Sequence, residues 1–251
     1  MVNSYDLVRA LKLDILVKSK TPALNIETPE VNRPGLQLAG YWDYFAYERP
    51  QLLGKAETSY LEMLPCEERQ ARIVAMVKRY IDIAQAIGSK VTIGSIKGNV
   101  PKGADRAACL EIMGKCMREI SAYAVEKGVY VLLEATNHFE NNVLNTGRDV
   151  HDFIERYALK NVQALIDSFH VNIEERSVAG GLRDAGEYLG HIHFGDNIRW
   201  YPGAGAFDFD AFCQGIRDVG YDGVLSVEVF PLPDGETAAR KSIEFFQKHF
   251  N

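Results

Sequence analysis

Clustered basic charge is missing from this chain. The formal net charge is −6 at neutral pH, and no run of Lys and Arg outlasts a helical turn. Phosphate-backbone binding needs such a cluster, so the composition argues against a nucleic-acid partner. Long apolar runs are missing too. No stretch approaches the roughly 20 apolar residues of a membrane span. Charges break every apolar stretch within residues 1–20, which speaks against a signal peptide. Cysteine is sparse, and Cys66, Cys109, Cys116 and Cys213 form no Cys-x-x-Cys pair. Cys109 and Cys116 stand seven apart on an expected helix and read as buried thiols. The expected compartment is a reducing cytoplasm. Low-complexity tracts are absent.

What is present is ordinary globular material, 47% hydrophobic and 25% charged over 251 residues. That suffices for one large domain or two small ones. The pattern changes near residues 64–69. Before it lie short, mixed segments rich in Pro and aromatics. After it, strands and helices alternate. Ile73, Met76, Val77, Tyr80, Ile81, Ala84 and Ile87 follow the three-four spacing of a helix over 68–87, stopped by Gly88. Strands are expected at 91–96, 129–135, 162–168, 189–194 and 223–229. Further helices are expected at 104–127, 149–157, 181–188, 208–219 and 236–249. Strict alternation of short apolar strands with helices predicts a parallel α/β sheet of five strands.

Four residues of metal-ligand type each close or sit in one of these strands: Glu134, Asp167, His193 and Glu228. The gaps of 33, 26 and 35 residues are each about one strand–helix repeat, which runs to roughly 30 residues. Parallel strands so spaced bring the four side chains to one end of a barrel, where such folds keep their active sites. Three carboxylates and an imidazole make a hard, mostly oxygen site for a divalent ion. Other polar residues read more plainly. His191 reads as a structural histidine, His138 and His151 as surface, and His249 as tail. Asp196, Asn197 and Asn137 either position the ligands or form turns, with turns slightly favoured. Pro202–Gly205 is an active-site loop or a surface turn. The Glu174-Glu175-Arg176 charges read as a solvated face.

Several motifs stand in order: Glu134-Ala-Thr-Asn-His-Phe-Glu140, Asp167-Ser-Phe-His170, His191-Ile-His193-Phe-Gly-Asp-Asn-Ile-Arg199, Pro202-Gly-Ala-Gly205 and Gly220-Tyr-Asp-Gly-Val-Leu-Ser-Val-Glu228. On these the chain from about residue 68 resembles the xylose-isomerase-like barrel superfamily, and within it the D-tagatose, D-psicose and L-ribulose 3-epimerases. The resemblance implies a divalent metal, Mn²⁺ first with Mg²⁺ or Co²⁺ as alternatives, held by Glu134, Asp167, His193 and Glu228. It implies that Glu140, His170 and Arg199 grip the sugar. It also implies that Glu134 and Glu228 move a proton off one face of a ketose C3 and onto the other, through an enediolate. The expected partner is a small ketose, and family members commonly form dimers or tetramers. An aldose–ketose or hydroxypyruvate-type isomerase is the alternative within the superfamily.

The family's first three strands and first two helices have no counterpart here. Residues 1–66 resemble instead the N-terminal domain of HPr kinase/phosphorylase, through Val31-Asn-Arg-Pro-Gly-Leu36-Gln-Leu-Ala-Gly40-Tyr-Trp-Asp-Tyr-Phe45, Glu48-Arg49, Leu53-Gly-Lys-Ala-Glu57 and Tyr60-Leu61. That family's kinase domain carries a Gly-x4-Gly-Lys-Ser/Thr loop. Gly54-Lys55 and Gly114-Lys115 lack both the upstream Gly and the following hydroxyl, so nucleotide chemistry is not expected. The expected fold class is therefore α/β. Residues 67–251 form a partial TIM-type (β/α) barrel with five parallel strands, and a small α/β segment, residues 1–66, precedes it. Such a fusion of two truncated parts raises a further alternative, a catalytically inactive protein that binds metal or sugar.

Overall fold

The apolar stripe from Ile73 to Ala84 lies buried along one helix, α1 (Glu67–Ile87). The structure, a computed structural model, describes residues 67–250. The reading of residues 1–66 as a small α/β segment lies outside the described residues. After α1 the order is β1 (Val91–Ile93), α2 (Arg106–Lys127), β2 (Val131–Glu134), α3 (Gly147–Tyr157), β3 (Val162–Asp167), α4 (Ser168–Glu174) and α5 (Gly180–Ala185). β4 (Leu189–Phe194), α6 (Phe209–Asp218), β5 (Leu225–Val227) and α7 (Gly235–Phe250) follow. The five strands form one parallel sheet in chain order, a half-barrel with its helices outside.

Alternation along each strand sorts the side chains into two faces. Val131, Leu133, Ala164, Ile166, Ile192, Phe194 and Leu225 point outward into the core shared with the helices. Phe194 sits among Phe209, Phe212, Phe245, Phe246 and Phe250. The opposite face carries Leu132 and Glu134 on β2, Leu165 and Asp167 on β3, His191 and His193 on β4, and Ser226 then Glu228 at β5. Glu134 pairs with Leu165, Asp167 with His193, and His193 with Ser226. The ligand row thus climbs two residues between β2 and β3 and again between β4 and β5, the stagger that tilted barrel strands require.

Several expected elements are shorter. β1 ends at Ile93, not 96, and a 3₁₀ turn, Ser95–Lys97, follows. β5 ends at Val227, so Glu228 stands just beyond it, although its N–H still donates to Phe194 O at 3.1 Å. α4 was not expected at all. Its seven residues carry too short an apolar pattern to read as helical. Helix ends are set by side chains: Asp105 caps α2, and Thr146 with Asp149 forms a full capping box on α3.

Candidate active site

Glu134, Asp167, His193 and Glu228 converge. One ligand atom from each lies within 4.8 Å of all the others. Asp167 is fully buried and Glu134 and His193 nearly so. Asp167 divides its carboxylate: Oδ1 accepts the Phe169 N–H at 2.8 Å as the cap of α4, and Oδ2 faces the cluster. His193 Nδ1 lies 2.8 Å from Glu228 Oε2 and 3.8 Å from both Glu134 Oε1 and Asp167 Oδ2. Burial works against a charged imidazole there, but the Glu228 hydrogen bond and the surrounding carboxylates outweigh it and raise the pKa to about 9. Burial likewise pushes Glu228 up, yet Arg199 and His193 hold it far below the ordinary carboxylate range. Three carboxylates and one imidazole nitrogen on one spot fit a divalent cation, because each offers a donor atom that such an ion takes.

The three expected sugar-contacting residues surround this cluster. Arg199 donates to Asp167 Oδ2 at 2.5 Å and to Glu228 Oε2 at 2.9 Å, with its guanidinium 4.6 Å over the Phe169 ring. Its backbone sits at φ 59°, a region that a long side chain seldom adopts. The Arg199 N–H on Asp196 O (2.8 Å) and the Phe230 N–H on Arg199 O (2.7 Å) hold it there. His170 is buried, with Nε2 3.7 Å from Glu134 Oε1 and Nδ1 3.9 Å from Glu140 Oε1. Burial lowers the His170 pKa, so the ring is neutral. The Asn137 amide groups approach His170 Nδ1 at 2.7 and 3.3 Å, which makes Nδ1 an acceptor and assigns the ring proton to Nε2, toward Glu134.

Several plain readings need correction. Asn137 is no mere turn former, for it joins His170 to Glu140 through a 3.0 Å bond to Glu140 Oε1. Glu174 and Glu175 are not a solvated face. Both are half-buried; Glu174 accepts from the His138 backbone at 2.6 Å and Glu175 from the Gly147 N–H at 2.9 Å. Pro202–Gly205 is not a plain turn either. The buried Asp196 carboxylate accepts from Gly203 and Phe207 N–H groups, and a Cβ on Gly205 would lie 2.3 Å from Asp196 Oδ1. His191 is structural as expected: buried and bonded to Ser226 at 2.8 Å, with burial driving its pKa far down. Cys109, Cys116 and Cys213 are buried free thiols.

One residue gave no sequence signal. Lys97, in a Ser-Ile-Lys-Gly stretch that looks like a surface turn, is completely buried. Its Nζ donates to Glu134 O (3.1 Å), to Thr136 Oγ1 and to Asn141 Oδ1 (3.4 Å). Burial lowers its pKa to about 8 against the pull of Glu134 and Glu140.

A family model described as a xylose isomerase-like TIM barrel matches residues 60–249. The chain belongs to the xylose isomerase-like TIM barrel family. The D-psicose 3-epimerase of Ruminiclostridium cellulolyticum is 37% identical over 129 residues, 51% of this chain and 44% of that one. The L-ribulose 3-epimerase of Methylomonas sp. is 30% identical, covering 62% and 55%. The 3-dehydro-D-guloside 4-epimerase of Escherichia coli is 29% identical, covering 64% and 65%. Among solved structures, D-psicose 3-epimerase with D-tagatose from Clostridium cellulolyticum H10 superposes with a TM-score of 0.68 at 25% identity, covering 75% and 74%. This xylose isomerase-like chain spans about half the length of the curated 3-epimerases it matches. A second family model, the HPr serine kinase N terminus, matches residues 2–84. The HPr kinase/phosphorylase of Caldanaerobacter subterraneus is 42% identical over 95 residues, 34% of this chain and 31% of that one. The two family matches overlap at residues 60–84, within and just ahead of α1. Among the described residues no helix is long and apolar enough to cross a membrane.

Proposed function

We propose that the barrel inverts C3 of a ketose: one of Glu134 and Glu228 takes the C3 proton, and the other, protonated, gives a proton to the opposite face. One observation carries the reading. Glu134 on β2 and Glu228 beyond β5 stand at the two ends of the four-residue row, with Asp167 and His193 between them. A carbon held over the middle of that row has a carboxylate on each side, as inversion by two acid–base groups demands. Glu134, Asp167, His193 and Glu228 would hold the divalent ion, Mn²⁺ in the first place. When bound, that ion supplies positive charge that stabilises developing negative charge on substrate oxygens. Glu140 and the Nε2–H of His170 orient the hydroxyls at the β2 side. Arg199 offers donors at the β5 side and keeps Glu228 ionised, ready to accept a proton. The partner is a small ketose, and the buried free thiols suit a reducing compartment such as the cytoplasm.

The same row serves C4 of a sugar whose carbonyl lies at C3, where the C4 proton is the acidic one, and the likeness to a 3-dehydro-D-guloside 4-epimerase makes that the second reading. Incubation with Mn²⁺ and a panel of 2-ketoses and 3-keto sugars in deuterated water, followed by NMR, separates the two. Deuterium at C3 with the C3 epimer as product is expected. Label at C4 alone moves the reaction to the second reading, and label at C1 marks an aldose–ketose isomerase. Glu228→Gln is expected to lower turnover by roughly 10²–10⁴-fold. Stoichiometric Mn²⁺ with no label in any sugar sinks the epimerase reading and leaves a binding protein.

A further inference from the structure

We propose that Lys97 is a positioning residue for the proton-transfer carboxylate Glu134 and for Glu140, acting from the loop after β1 without touching the sugar. The inference rests on the epimerase reading for its catalytic consequence, though not for its structural content.

Lys97 has no exposed surface, so contact with a substrate is closed to it. What its ammonium touches is the start of the loop that carries Glu140. The loop begins at Glu134, whose carbonyl accepts from Lys97 at 3.1 Å. Thr136 Oγ1 accepts from Lys97 and donates to Asn141 Oδ1 at 3.0 Å. Asn141 Nδ2 then returns to Gly98 O at 3.0 Å, on the far side of Lys97. Asn145 Nδ2 closes the network on the carbonyls of Thr136 and Asn141, both at 2.7 Å. Among the described residues, Lys97 is thus the one cation in a buried polar knot that joins the β1 loop to residues 134–145. Gly94 supplies the matching wall, because a Cβ there would lie 2.4 Å from Glu134 Oε2. Backbone and carboxylate of Glu134 are therefore both fixed from the β1 loop, one by an ammonium and one by a missing side chain.

Burying an ammonium is costly unless it is fully bonded, and neutral core residues could join two loops more cheaply. A cation at this place does what they cannot. It draws the Glu134 carbonyl and the Thr136 and Asn141 oxygens to one point, and its charge offsets the crowding of Glu134 and Glu140. A displacement of about 1 Å at a reacting group costs on the order of 100-fold in rate, so the clamp acts on turnover through Glu134 and, more weakly, on sugar binding through Glu140.

The test uses the full chain, with Mn²⁺ as the metal probe. In Lys97→Met, amide hydrogen exchange is expected to speed up in residues 94–100 and 134–142 and to stay at parental rates in β3 and β4. Bound Mn²⁺ stays at the parental stoichiometry. Turnover on the ketose that the parent converts falls on the order of 10- to 100-fold, a larger change than any rise in KM through Glu140. Lys97→Arg, which keeps charge and donors, recovers part of both. Thr136→Val, which deletes the hydroxyl that accepts from Lys97 and donates to Asn141 and keeps the shape, reproduces the local exchange pattern at smaller amplitude. Parental exchange at 134–142 in Lys97→Met overturns the proposal, and so does parental turnover. Protection from exchange lost throughout the barrel in Lys97→Met, with Thr136→Val like the parent, makes Lys97 an ordinary fold residue and overturns it as well. A parent that turns over no ketose defeats the epimerase reading alone, and the exchange arms still decide the clamp.

Discussion

Glu175 shows at the residue scale how far local pattern misleads. In the sequence it is one of three adjacent charges. In the fold it is half-buried against Gly147 and Gly181, and desolvation raises its pKa above the ordinary 4.5, with Asp184, Asp149 and Glu174 adding to it. The folded chain then holds this proton more tightly than the unfolded chain. Its contribution is fully present below pH 4.5 and is lost as pH rises through the raised value. The stability of the parent relative to Glu175→Gln is therefore expected to fall with rising pH above about 4.5, read as the difference between two denaturation series. Parallel curves would refute the assignment. The four candidate ligands were legible because each closes or sits in an apolar run at regular spacing. Lys97 was not, because nothing in Ser-Ile-Lys-Gly shows that the stretch turns inward against Thr136 and Asn141. Arg199 was legible as a charge but not as a residue at φ 59° bridging Asp167 and Glu228, since that depends on its bonds to Asp196 and Phe230.

Elements were easier to find than to delimit. β4 runs from Leu189 to Phe194 as expected, with both faces buried from Gly190 to Phe194. β1 and β5 are trimmed where glycines or site residues take over, at Gly94 and Glu228. α4 escaped notice because its cap, Asp167, looks only like a ligand. The capping box on α3 is a separate device, in which Thr146 Oγ1 accepts from Asp149 N at 3.1 Å and Asp149 Oδ2 accepts from Thr146 N at 3.1 Å. Thr146→Ala is expected to cost about 1 kcal/mol of stability in denaturant melts. Because α3 follows the loop that bears Glu140, a loss well above that would show that the cap also braces the site.

Across the whole molecule, the unit of recognition was the repeat. Five strand–helix repeats predicted the parallel half-barrel, and the structure supplies it, while the stagger that levels the four ligands came only from the pairing register. A divalent ion that binds the native site and not the unfolded chain must stabilise the fold. Mn²⁺ at 100 times its Kd is expected to add about 2.7 kcal/mol, seen as a rise in Tm that a chelator reverses. No shift in Glu134→Gln, with a shift in the parent, would tie the effect to this cluster. An unchanged Tm in the parent would remove the metal from the account.

The sheet order is the chain order, and this bears on synthesis. Each strand emerging from the ribosome finds its neighbour already made, so the barrel can grow one repeat at a time with no strand waiting for a distant partner. The ligands arrive in the same sequence, Glu134, then Asp167, then His193, and last Glu228. Until the repeat that ends at Glu228 is released the nascent chain holds an unfinished set of donors, so an ion that needs all four would follow the folding of this sheet and not seed it.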